Sequence, residues 1–82
     1  MQAYVLIRVD SKGSEEVLDF LRKECKEQVY ESHVLMGGER DVIAKIVVDD
    51  VKALDDVLFG RIQGHRRVDA TATYIVAERF ED

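Results

Sequence analysis

Two short stretches hold residue types with which a protein can grip a small polar molecule. In Met36-Gly37-Gly38-Glu39-Arg40-Asp41, the glycines let backbone approach a ligand closely and leave amide groups open to an anion. Asp41 opens a strand beside them, where its carboxylate can meet an ammonium group. In Thr71-Ala72-Thr73, strand alternation sends both hydroxyls to one sheet face, and each can donate and accept. Gly38, Asp41, Thr71 and Thr73 thus supply free amides, a carboxylate and paired hydroxyls. A free α-amino acid needs opposite partners for its ammonium and carboxylate, and this set offers both. The same residues also have a plain structural reading. Gly-Gly ahead of a strand makes a hairpin turn, and Thr-x-Thr is ordinary strand preference.

Nothing else in the chain adds up to catalytic or metal chemistry. Cys25, His33 and His65 are the only soft ligands, without a C-x-x-C or H-x-x-x-H spacing. Neither a metal nor a cofactor is expected, and no residue is assigned a catalytic role. His33 sits on an edge strand, and no nucleophile pairs with it in sequence. His65-Arg66-Arg67 reads as a solvated turn, because three basic residues in an acidic protein make no nucleic-acid patch. Cys25 lies on the apolar face of a helix and packs as a small hydrophobe. Asp55 and Asp56 are adjacent on a helix and point apart. Tyr4 and Tyr74 read as core or interface packing.

The elements that must position these residues are short. Eighty-two residues make one domain, residues 1–82, with 78–82 a polar tail. A chain of this size buries only about 60% of its unfolded surface. Small folds recover stability from disulfides, metals or self-association. One cysteine excludes an internal disulfide and fits a reducing cytoplasm. Self-association is the remaining route. The net charge of −5 disfavours direct binding to nucleic acid. The start, Met1-Gln2-Ala3-Tyr4, has no basic segment of the signal-peptide kind. No apolar run approaches the roughly 20 residues of a membrane span.

Residues 3–9 are apolar and β-branched and read as a strand. Asp10-Ser11-Lys12-Gly13 is a turn, and Ser14 caps a helix with Glu15 and Glu16 in its first turn. Val17, Leu18, Leu21 and Cys25 share one helical face. Residues 29–36 form a strand of mixed polarity, Gly37 to Arg40 a turn, and 41–48 an apolar strand. Asp49 or Asp50 caps a second helix, in which Val51, Leu54, Val57, Leu58 and Ile62 recur at helical spacing. Gly60 interrupts that pattern and Gly64 is its expected stop. Residues 68–77 form the last strand.

The order is βαββαβ. Right-handed crossovers place both helices on one face of a four-stranded antiparallel sheet, a ferredoxin-like α+β fold of strand order 4-1-3-2. Alternation assigns Ala3, Val5, Ile7, Val9, Val42, Ala44, Ile46 and Val48 to the helix-covered face, with Val68, Ala70, Ala72, Tyr74 and Val76. The opposite face then carries Tyr4, Leu6, Arg8, Ile43, Lys45, Val47, Thr71, Thr73 and Ile75. A water-facing sheet surface should be mostly polar. An apolar patch of Tyr4, Leu6, Ile43, Val47 and Ile75 marks an interface, and sheet-to-sheet dimers are expected.

The whole chain resembles the effector-binding half of the Lrp/AsnC transcription regulators, the RAM domain, in a stand-alone form lacking the DNA-binding helix-turn-helix. That family shows a Gly-x-x-Asp turn between strands two and three and a Thr-x-Thr in strand four. Gly38-Glu39-Arg40-Asp41 and Thr71-Ala72-Thr73 stand at those places, and Tyr4-Val5-Leu6-Ile7 matches the opening strand. The resemblance implies dimers assembling into rings, with amino-acid effectors bound between dimers. It implies that Gly38 offers amides, that Asp41 pairs with the ligand ammonium, and that Thr71 and Thr73 bind its polar groups. It further implies a full-length Lrp/AsnC regulator as a partner. Three departures stand out: Arg40 replaces a frequent aromatic, Gly37 is additional, and Gly64 to Val68 is unusually basic.

Other readings of the same topology are a dimeric α/β-barrel enzyme, an ACT-like amino-acid module and a ligand-free oligomerisation platform. The enzyme needs an enclosed base and polar helpers, yet His33 is the only strand histidine and asparagine is absent. The ACT-like module would place its key glycine at Gly13, after the first strand.

Overall fold

The computed structural model describes residues 1–10 and 12–77. Ser11, within the expected turn, and the expected polar tail 78–82 lie outside the described residues. The strands are β1 (Gln2–Val9), β2 (Val29–Val34), β3 (Val42–Val47) and β4 (Val68–Ile75). Helix α1 (Ser14–Glu24) joins β1 to β2, and α2 (Val51–Val57) leaves β3. A π-helical turn, Leu58–Ile62, continues α2. The sheet order is β2-β3-β1-β4 and every pair is antiparallel. This is the expected ferredoxin-like arrangement, with the two most apolar strands at its centre.

Both helices meet the sheet through the faces their periodicity marks. Val17, Leu21 and Cys25 of the first helical segment are fully buried, and Leu18 packs against them. Leu54, Val57, Leu58 and Ile62 are buried, while Val51 at the start of α2 is exposed. Facing them are Ala3, Val5 and Ile7 of β1 and Val42, Ala44 and Ile46 of β3, all without solvent contact. Burying one such Val, Leu or Ile side chain contributes about 1.5–3 kcal/mol.

The helix ends differ in part from expectation. Asp50 caps α2, its side chain accepting the Ala53 N–H at 2.9 Å. Ser14 instead lies inside α1, with Gly13 at the N-cap and no side-chain cap bond. Gly64 has no positive φ, so the second helical segment does not end in a left-handed glycine. It passes through Gln63, whose N–H donates to the Leu58 carbonyl at 2.8 Å.

The face assignment of β4 requires correction. Arg8 pairs with Ala70, but the next residue, Val9, pairs with Val68, leaving Asp69 as the extra residue of a β-bulge. A one-residue insertion reverses every side chain beyond it. Val68 therefore faces the helices as expected, whereas Ala70, Ala72 and Tyr74 do not. They pair with Arg8, Leu6 and Tyr4 on the open face. Thr71, Thr73 and Ile75 pair with Ile7, Val5 and Ala3 and lie on the helix side. The other edge strand has a matching irregularity. Val29 pairs with Ile46 and Glu31 with Lys45, so Tyr30 is the supernumerary residue and Ser32 turns inward beside Ala44.

Candidate functional site

The Gly-Gly-Glu-Arg-Asp stretch forms the tip of the β2–β3 hairpin. Gly37 and Gly38 have φ of +90° and +74°, a region L side chains rarely adopt. No atom lies within 4 Å of where a Cβ would stand at either glycine. The turn thus has open space around its backbone, and both glycines are exposed.

Asp41 closes the turn and stitches three segments together. Its N–H donates to the Ile7 carbonyl at 2.8 Å, and its carbonyl accepts the Leu35 N–H at 2.7 Å. Its side-chain Oδ2 accepts the Val9 N–H at 2.9 Å. Among the described residues Oδ1 takes no hydrogen bond. The carboxylate is therefore fixed through one oxygen alone.

The threonines do not join this corner within one chain. Ile7 pairs with Val42 on one side and Thr71 on the other. Asp41 and Thr71 are thus separated by the width of β1, two strand spacings or roughly 10 Å. Thr71 Oγ1 accepts a hydrogen bond from Gln63 Nε2 at 2.9 Å. Thr71 and Thr73 do share a face, but it is the helix side of the β4 edge.

The basic turn is not simply solvated. The Arg67 guanidinium donates from one nitrogen to both Asp10 carboxylate oxygens, at 3.0 and 3.2 Å, and its Nε lies 3.8 Å from Glu16. The Asp10 hydrogen bond, then the charges of Asp10 and Glu16, hold that guanidinium more firmly protonated than usual. Arg66 reaches Glu16 at 3.3 Å. The His65 side chain is only 13% exposed, with Nε2 3.6 Å from Glu16. These contacts clamp the α2–β4 connection onto the end of β1 and the start of α1. The sequence signal was there, in a basic triplet that could answer Asp10 and Glu16, but only the fold brings them together. His33 is exposed on edge strand β2, 3.6 Å from Glu31. Cys25 is buried, which pushes its thiol above the usual range although Arg61 acts in the opposite direction.

The open sheet face carries Tyr4, Leu6, Ile43, Val47, Ala70, Ala72 and Tyr74. In its midst the Lys45 ammonium lies 6.0 Å from the Tyr4 ring centroid and 5.1 Å from that of Tyr30. The patch persists after the β4 correction, because Tyr74 replaces Ile75. Among the described residues no group of three or more His, Cys, Asp or Glu is placed to hold a metal. No described helix is long and apolar enough to cross a membrane.

Comparison with known proteins agrees with this architecture. The family model of the Lrp/AsnC ligand binding domain matches residues 2–82. A search of curated proteins found no match. Among solved structures, TTHA0845 from Thermus thermophilus superposes with a TM-score of 0.88 at 26% identity, covering 99% of this chain and 98% of that one. A hypothetical protein from Pyrococcus horikoshii gives 0.82 at 27%, covering 95% and 90%. A transcriptional regulator from Neisseria meningitidis, solved as a complex with L-methionine, gives 0.81 at 18%. That likeness covers 99% of this chain but 52% of the regulator, so the chain spans about half its length.

Proposed function

This chain belongs to the Lrp/AsnC ligand binding domain family, and from that premise we propose that it is a regulatory module that self-associates and binds a free amino acid. The observation that carries the reading is the half-engaged Asp41 carboxylate beside two exposed glycines. One oxygen is spent on Val9 and the other is available to an ammonium group. Uncrowded glycine backbone lies within a few residues and can receive a carboxylate. The regulator solved with L-methionine supports the ligand class.

Thr71 and Thr73 belong to this site only if a second copy brings its β4 edge to the Asp41 corner. We therefore place the complete site between copies, with Gly38 and Asp41 from one and the threonines from another. The apolar open face supplies the surface for pairing. In this reading the protein acts in the cytoplasm without catalysis, and its partner is a full-length regulator of the same family, which it modulates. Higher ring assembly follows if each dimer uses both corners.

Isothermal titration against the twenty standard amino acids tests the proposal. Saturable heat with at least one, lost in Asp41→Ala while the assembly mass is unchanged, is the expected result. Absence of heat with all twenty at millimolar ligand would sink it and leave the oligomerisation platform as the better account.

A further inference from the structure

The helix layer carries a second concavity, lined by none of the hairpin-corner residues. A shallow, largely open cleft of about 390 Å³ lies between the later half of α1 and the π-helical turn. Its aromatic surface is Phe20 and His65, whose rings meet edge to face at 61° with centroids 4.8 Å apart. One His65 nitrogen is engaged and the other stands near a carboxylate. Nδ1 accepts the Arg67 N–H at 3.1 Å, and Nε2 lies 3.6 Å from Glu16. The imidazole meets the cleft beside the Phe20 ring.

Arg61 and Glu24 stand on the rim. One Arg61 nitrogen donates to the Glu24 carbonyl and the guanidinium also reaches the Cys25 thiol, which steadies it and leaves its remaining donors to the cleft. Among the described residues no carboxylate lies at ion-pair distance from Arg61. Two further features agree. Gly60 sits in a helical stretch, where glycine weakens a helix relative to alanine. The fold does not require it, since its φ is not positive and a Cβ there would meet nothing within 4 Å. Gly60 lines the cleft, and a Cβ there would stand in open space. The surrounding π-turn is itself a rare geometry that recurs at functional sites.

We propose that this cleft binds a small aromatic carboxylate, its ring against Phe20 and His65 and its carboxylate on Arg61. The probe is 3-phenylpropanoate, titrated into the isotope-labelled full chain by ¹H–¹⁵N correlation spectroscopy. Saturable shifts at the amides of Phe20, Gly60, Arg61 and Gly64 are expected. Arg61→Gln should weaken binding about tenfold, the loss of one charge-assisted pair. Gly60→Leu should abolish it without lowering the thermal midpoint. Shifts confined to Gly38–Asp41, or none at all, overturn the inference while leaving the proposed function standing. So does unchanged affinity in Gly60→Leu, or equal affinity for uncharged 3-phenylpropanol.

Discussion

Replacing Asp41 by Asn keeps an oxygen within reach of the Val9 N–H while removing the charge an ammonium group needs. Stability should fall by no more than about 1 kcal/mol, the net worth of one such hydrogen bond. Effector affinity should fall at least about tenfold. Asp41→Ala also deprives the Val9 N–H of its partner and should cost about 1–3 kcal/mol in urea unfolding. Wild-type affinity in Asp41→Asn would refute a role for the carboxylate charge. Cys25 poses the opposite case, a reactive group silenced by burial. Its folded thiol is held above the ordinary value of 9.0, chiefly by desolvation. The unfolded chain therefore releases this proton first as pH rises. The associated stability is complete below pH 9.0 and is lost as pH climbs through the folded value. Urea midpoints from pH 7 to 10 should fall more steeply in the native protein than in Cys25→Ala. Thiol reagents at pH 8 should label Cys25 only as fast as the chain opens.

At the scale of elements, the caps and turns carry separable contributions. Asp50→Ala removes the side-chain bond to Ala53 and should cost about 1 kcal/mol, measurable as a lower urea midpoint with little change in slope. Gly38→Ala meets no neighbour, so its cost is conformational alone, about 1–2 kcal/mol for a left-handed position. A neutral result there would mean the turn adopts another conformation. The edge strands behave differently from the central ones. Each has a bulge, at Tyr30 and at Asp69, and each bulge resets which residues face the helices. Strict alternation was enough for β1 and β3, whose residues pair with each other without interruption. It failed for β4 because Asp69 inserts after Val68, and that single residue moves Thr71 and Thr73 to the helix side.

For the whole molecule, the open face decides whether the chain stands alone. Tyr4, Leu6, Ile43, Val47 and Tyr74 would leave a contiguous apolar surface in water, which small soluble domains seldom tolerate. Light scattering should return at least the dimer mass at micromolar protein. Leu6→Arg, at the centre of that face, should weaken association at least about tenfold, or ~1.4 kcal/mol, with the helix-covered core untouched. A monomeric mass for the native chain would end the sheet-to-sheet reading. The clamp of Asp10, Glu16, His65, Arg66 and Arg67 also acts at this scale, joining residues 10–16 to residues 65–67 some fifty positions later.

Periodicity, turn residues and chain length were enough, by themselves, to determine the element order, the ferredoxin-like topology, the central strands and most of the buried face. Those features rest on local preference and apolar spacing, which a linear string displays. The tertiary structure alone decided the phase of β4, the clamp around Arg67 and the separation of Asp41 from the threonines by β1. These depend on registers and distances between segments, and a one-residue bulge leaves no mark in a sequence where either phase offers plausible residues. Gly38 and Asp41 could be read as a pair because they are neighbours along the chain, whereas their relation to Thr71 and Thr73 is a matter of strand order.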